Sequence, residues 1–301
     1  MAWPAALSRN RCIRRDIEHR VTSGQLPSSP NMSESENPQQ FRLVVFDLDG
    51  TLVDESLRMK AEDLDCIREL RRRGVAITLA TGRTFDSALP YVQRLGVELP
   101  VILCNGAAIV HPLSGEILYQ QRLPEEPVLI LLQRAREADL DCLLYIDPLS
   151  GCPCVSQLTP ILAEFILLEG LHCVELNDLA AVVHGDQPIK IQIVGEESGL
   201  LGLRRLALKQ FPDINLLLTQ SDYLEAMPPG VSKGAALQKI SEYTDIPLSR
   251  MVAFGDSVND EELIALAGFG VAMADAPEQV RNAAKATVSS IAAALTEIFG
   301  R

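Results

Sequence analysis

Tryptophan is nearly absent from this chain. The one residue of that kind, Trp3, stands at the very start. No indole is therefore available further along to stack a ligand ring, and any such stacking falls to phenylalanine or tyrosine. Aromatic residues as a whole make up 5% of the 301 positions. Long apolar runs are missing too. The longest, 161–168, is broken by Glu164 and falls short of the roughly 18 residues that a membrane helix requires, which argues against an integral membrane protein. Positive charge is in deficit, with 27 Lys and Arg against 40 Asp and Glu and a net charge of −13. A field of that sign repels a phosphate backbone or an anionic bilayer, so neither nucleic acid nor a membrane surface is an expected partner. Cysteine is too sparse for a disulfide-stapled domain. There are seven, Cys152 and Cys154 are the only close pair, and no second pair completes a zinc site. They read as reduced thiols of a cytoplasmic protein.

What is present is ordinary for a globular protein: 47% apolar and 22% charged residues. The length suggests two domains. Residues 1–40 stand apart. Arg9, Arg11, Arg14, Arg15 and Arg20 cluster near the start, and a Pro- and Ser-rich stretch with almost nothing to bury follows. The expectation there is a disordered N-terminal extension. It has no apolar segment of the secretory kind, and Asp16 and Glu18 weaken a transit-peptide reading. Met32 is an alternative start.

From residue 41 onward, short apolar runs alternate with helical patterns. The runs lie at 43–46, 76–80, 101–104, 251–254 and 270–273, and continuous apolar runs of this length suit strands buried on both faces of a parallel sheet. Helices are expected at 59–73, 85–95, 233–243, 261–267 and 278–286. Ser232 is placed to cap the third of these, and Gly268 follows the fourth, where a left-handed residue is wanted. The pattern predicts a doubly wound α/β core with a parallel sheet. The middle differs: helices at 125–138, 158–168 and 198–210 and strands at 142–146, 189–194 and 216–219 predict an inserted α+β cap. The expected division is a core of 41–122 and 220–301 and a cap of 123–219.

Each expected core strand ends in polar residues. The first runs into Asp47-Leu48-Asp49-Gly50-Thr51, the second into Thr81-Gly82-Arg83, the third into Asn105-Gly106, and the fourth into Gly255-Asp256-Ser257-Val258-Asn259-Asp260. One such cluster is an ordinary turn. Four at the carboxyl edge of one sheet, where α/β proteins bind ligands, converge on a site. Asp47, Asp49 and Asp256 would crowd there, and like charges that close need a cation. Carboxylate and carbonyl oxygens suit Mg²⁺, with Asp260 able to hold a water of that ion. Thr81 offers a hydroxyl and an N–H to a phosphate, and Lys233 adds a point charge at a helix N-terminus.

These motifs, in this order, resemble the four motifs of the haloacid dehalogenase (HAD) superfamily. Thr81-Gly82-Arg83, Asn105-Gly106-Ala107 and Gly230-Val231-Ser232-Lys233-Gly234 resemble its Cof-type phosphatases of subclass IIB. Spacing agrees. One helix and one strand fill the interval from Asp49 to Thr81, whereas Thr81 to Lys233 leaves about a hundred residues for an inserted domain. The resemblance implies that Asp47 is the nucleophile and Asp49 the general acid and base. It implies that Thr81, Gly82, Lys233 and Asn259 bind the phosphoryl group. Mg²⁺ is implied on the Asp47 carboxylate, the Asp49 carbonyl and Asp256, with Asp260 supporting. Arg83 and Asn105 are possible substrate-side contacts.

The expected function is a Mg²⁺-dependent phosphatase of small phosphate monoesters, either sugar phosphates or phosphorylated cofactors such as flavin mononucleotide (FMN) or pyridoxal phosphate (PLP). The alternatives are a phosphosugar mutase and a catalytically weak phosphometabolite-binding protein on the same fold. No P-loop occurs, which argues against a kinase. Tyr145, Asp147, His184 and Lys190 are polar cap residues beside expected strands, and an ordinary surface position is the simpler reading of each.

Overall fold

A computed structural model describes residues 41–54, 56–168, 171–220 and 222–300. The expectations for the N-terminal extension, including Trp3 and Met32, lie outside the described residues. In chain order the strands are β1 (Leu43–Phe46), β2 (Ala76–Leu79), β3 (Val101–Leu103), β4 (Ala108–Val110), β5 (Ile117–Gln120), β6 (Asp141–Tyr145), β7 (Cys154–Val155), β8 (Val174–Glu175), β9 (Lys190–Val194), β10 (Asn215–Gln220), β11 (Tyr223–Met227), β12 (Met251–Gly255), β13 (Phe269–Met273) and β14 (Ala286–Val288).

The core sheet has the order β14-β13-β12-β1-β2, and every pairing is parallel. A parallel bridge between Ala80 and Ile102 joins β2 to β3, which continues into the antiparallel β3-β4-β5 ribbon. The apolar runs are continuous because both faces are covered. Val44 and Phe46 pack with Leu64, Ile67 and Ile291 on one side, whereas Leu43 and Val45 pack with Leu237, Ile240 and Leu263 on the other. Phe46 stacks on Phe254 of the neighbouring strand with ring centroids 5.0 Å apart. The helices Ala61–Arg72 and Ile291–Phe299 thus cover one face, and Lys233–Thr244 and Glu261–Leu266 the other.

The second sheet has the order β10-β11-β9-β6-β7-β8 and is antiparallel except for β7 with β8. Strand periodicity divides its faces. Ile191 and Ile193 of β9 and Leu224 and Ala226 of β11 pack with the helices Glu125–Glu137 and Glu197–Gln210. Their alternates, Lys190, Gln192 and Glu225, stand on the opposite face and are nevertheless buried.

Three sequence expectations need correction. The inserted sheet takes in β11 and so runs to Met227; the cap boundary at 219 falls inside it. The Leu224–Met227 segment carries Glu225 among apolar residues, which masks it as a strand. The helix expected at 278–286 stops at Ala283, and Ala286–Val288 pairs as the edge strand β14. Gly268 is not left-handed; a Cβ there would lie 2.2 Å from the Ser249 carbonyl oxygen, so close approach is what requires glycine. Ser232 does cap its helix, accepting from the Ala235 N–H at 2.9 Å. The six cysteines among the described residues are free thiols. No helix among the described residues is long and apolar enough to cross a membrane.

Candidate active site

The carboxyl ends of β1, β2 and β12 and the N-terminus of the helix Lys233–Thr244 meet at one edge of the core sheet. The Asp47 N–H donates to the Phe254 carbonyl at 3.0 Å, which fixes the exit of β1 against β12. The chain then turns tightly through Gly50, whose φ is +81°. A Cβ on Gly50 would sit 2.2 Å from Asp256 Oδ2, so only glycine lets the two loops approach.

Asp47, Asp256 and Asp260 form a tight acidic cluster, with one carboxylate oxygen of each within 4.8 Å of the others. Lys233 lies beneath it, 1% exposed, and donates to Asp47 Oδ1 and Asp260 Oδ1, each at 2.6 Å. Burial acts to lower the Lys233 pKa, but the charges of Asp260 and Asp47 outweigh it and hold the ammonium above its usual range. Burial pushes the Asp47 carboxyl well above the usual carboxylate range, Asp260 adds to this, and Lys233 only partly opposes it. Burial raises Asp256 as well, against a hydrogen bond from Thr51 Oγ1 at 2.6 Å. Asp260 accepts three hydrogen bonds. Beyond Lys233, its Oδ2 takes the Asp256 N–H at 3.1 Å and the Ser257 N–H at 3.0 Å. It braces the loop, while Asp47 and Asp256 face each other with one lysine between three carboxylates. This donor set fits a hard divalent cation, which prefers carboxylate oxygen and would relieve the repulsion.

The second strand end joins the same edge. Thr81 is fully buried, its Oγ1 accepts from the Arg83 N–H at 3.1 Å, and its carbonyl accepts from the Asn105 N–H at 3.0 Å. Arg83 grips the Asp49 carboxylate with two N–H donors. Asn105, in a left-handed conformation with φ +54°, accepts from Asn259 Nδ2 at 2.9 Å. A Cβ on Gly82 would come 3.1 Å from Asn105 Oδ1. Asp47, Asp256, Asp260 and Lys233 thus touch directly, and Asp49, Thr81, Gly82, Arg83, Asn105 and Asn259 join through contacts at one edge.

Of the four cap candidates, Lys190 and Tyr145 are buried at the junction with the core, with Lys190 Nζ 4.6 Å from the Tyr145 ring centroid. His184 makes an exposed pair with Glu125, and Asp147 accepts from the Leu149 N–H of its own loop. The sequence reading missed Glu225 altogether. Its only signal is a charge at an alternating position within an otherwise apolar strand. Thr51 was legible as part of the first motif but carried no assigned role. Between cap and core lies a cavity of about 410 Å³, lined among others by Asn215, Leu217 and Met227 from the cap and Asn105, Lys233 and Asn259 from the core.

The model of the haloacid dehalogenase-like hydrolases matches residues 44–293. The chain is 31% identical over 240 residues to the HMP-PP phosphatase of Cronobacter sakazakii, covering 79% of this chain and 86% of that protein. It is 30% identical to the HMP-PP phosphatase of Klebsiella pneumoniae over 80% of this chain and 86% of the relative. A haloacid dehalogenase-like hydrolase from Bacteroides thetaiotaomicron superposes with a TM-score of 0.77 at 27% identity, over 86% of this chain and 100% of the other. A HAD subclass IIB sugar phosphatase has the same fold, with a TM-score of 0.73 at 21% identity over 86% and 99% of the two chains. The chain belongs to the haloacid dehalogenase-like hydrolases and is a phosphatase of that family, with the core and cap layout of subclass IIB.

Proposed function

We propose that the chain hydrolyses small phosphate monoesters with the help of Mg²⁺, through a phosphorylated Asp47. The observation that carries this reading is the Asp47 carboxylate, fixed by Lys233 and set against Asp256 at the end of β1. Asp47 and Asp256 would hold the metal, with the Asp49 carbonyl as a third oxygen. The ion would supply charge compensation for the phosphoryl group. Asp47 attacks phosphorus, and the bond to the leaving oxygen breaks as the new P–O bond forms. Asp49 gives a proton to that oxygen and then takes one from the water that releases phosphate. To donate, it must turn out of its pair with Arg83. Thr81, Gly82 and Lys233 bind the phosphoryl oxygens, and Asn259, which gives one Nδ2 proton to Asn105, can add only its second N–H to them. The inserted unit, 123–227, closes over the site and excludes bulk water, leaving room for the one water that releases phosphate.

The cavity at the seam is of a size that holds a small metabolite. Sugar phosphates, FMN and PLP are candidate substrates, and HMP-PP joins them because the relatives are named for it. The test is phosphate release from this panel with Mg²⁺ and with chelator. Mg²⁺-dependent release from some members supports the reading. No release from any by the folded protein overturns it and favours a mutase or a binding protein.

A further inference from the structure

Two buried charges of the cap play no part in the chemistry above. Lys190 of β9 and Glu225 of β11 are 5% and 6% exposed and pair at 2.9 Å. Burying two charges is costly, and the surroundings must compensate. Burial acts to lower the Lys190 pKa, and Glu225 overcomes this and raises it. Each partner also reaches across the seam into the core. Lys190 Nζ donates to the Gly82 carbonyl at 3.1 Å, and Glu225 Oε2 accepts from Asn105 Nδ2 at 2.6 Å.

The second contact has a direction. A paired carboxylate only accepts, so Asn105 must turn its NH₂ toward Glu225. Its carbonyl oxygen then faces Asn259, which must donate, and does at 2.9 Å. Asn105 is 1% exposed and held in a left-handed turn, so it has little freedom to choose otherwise. Asn259 is left with its carbonyl oxygen directed away from Asn105. That oxygen is the one buried side-chain polar atom among the described residues without a hydrogen-bond partner. Asn105 and Asn259 both line the seam cavity.

We propose that Lys190 and Glu225 are positioning residues. Glu225 sets the direction of the hydrogen-bond chain Glu225–Asn105–Asn259, so that Asn259 offers an acceptor to a hydroxyl or amine donor on the leaving group. Lys190 pairs with Glu225 and pins the peptide that follows Gly82, whose N–H reaches Thr81. The cap thereby orders phosphate-loop and substrate contacts in the core only when it is seated. The kinetic part of this rests on the phosphatase reading.

The test is a double-mutant cycle of Glu225→Gln and Asn105→Asp. In Glu225→Gln the oxygen of the new amide goes to Lys190 and its NH₂ to Asn105. The chain then inverts, and Asn259 presents NH₂ to the leaving group. KM should rise about tenfold or more while kcat changes less. Asn105→Asp alone sets two carboxylates face to face and should also impair binding. In the double variant the new amide donates to the new carboxylate, the reverse of the wild-type bond, but that carboxylate accepts from Asn259, so the direction of the Asn259 bond returns. KM should recover relative to both single variants. A double variant no better than the worse single, or an unchanged KM in Glu225→Gln, would overturn the proposal. Side-chain amide NMR gives a readout free of turnover: contact between the Asn259 NH₂ protons and residue 105 should vanish in Glu225→Gln and return in the double variant. If the wild type turns over no substrate, the phosphatase reading fails, and the NMR arm still decides the relay.

Discussion

Arg83 holds both carboxylate oxygens of Asp49, with Nε 2.8 Å from Oδ2 and Nη2 2.6 Å from Oδ1. The pair ties the loop after β2 to the loop after β1. The Asp49 side chain is 51% exposed, so the pair contributes little to stability. Its value is positional. Arg83→Lys keeps the charge and loses the planar fork. We expect kcat/KM to fall about tenfold with the melting temperature nearly unchanged, read by steady-state kinetics and calorimetry.

Lys233 is the only cation that bonds Asp47 and Asp260 among the described residues. Removing it leaves buried carboxylates uncompensated. Lys233→Met should cost about 3–5 kcal/mol of stability in metal-free protein and abolish turnover. Urea unfolding measures the first; a loss under about 1 kcal/mol would contradict the assigned electrostatics.

The raised Asp47 carboxyl gives a pH dependence of definite sign. In metal-free protein the native state keeps a proton that the unfolded chain has already released. Stability therefore falls as pH rises from the usual carboxylate range through the raised Asp47 value. Lys233, shifted upward, adds nothing to that slope, since its stabilisation is lost only at alkaline pH. A cation that replaces the proton reverses the loss. Mg²⁺ at about 100 times its dissociation constant stabilises by about 2.7 kcal/mol. The shift in melting temperature it produces should be larger near about pH 7 than near about pH 5.

Two glycines separate backbone strain from site geometry. Gly50 and Gly74 have φ of +81° and +82°. A Cβ at Gly50 meets Asp256 Oδ2, whereas one at Gly74 meets nothing within 4 Å. Both alanine substitutions should cost about 1 kcal/mol or more through backbone strain. Only Gly50→Ala should also displace Asp256 and reduce Mg²⁺-dependent activity, by about tenfold or more, whereas Gly74→Ala should leave activity intact.

The core was legible because its signals are local. A strand buried on both faces is a continuous apolar run, as at Leu43–Phe46, and polar residues at the carboxyl ends of such runs stand out. The glycine demands were only half readable: Gly50 answers a left-handed turn, Gly268 a neighbouring carbonyl that no local pattern reveals. The cap was less legible because its short strands are read by alternation, and β11 alternates a glutamate among apolar residues. Glu225 and Lys190 look like solvated charges until the register pairs β9 with β11 and turns that face toward the core. Their partners, Gly82 and Asn105, lie more than a hundred residues away in the sequence.

The most direct test of the central claim is a rapid acid quench of a single turnover with Mg²⁺, followed by peptide mass spectrometry. Phosphate is expected on Asp47, with accumulation of that species in Asp49→Asn when the substrate is an aryl phosphate whose leaving oxygen needs no proton, and none in Asp47→Asn, which should be inactive yet folded. Turnover with no phosphorylated aspartate, or an active Asp47→Asn variant, would contradict it.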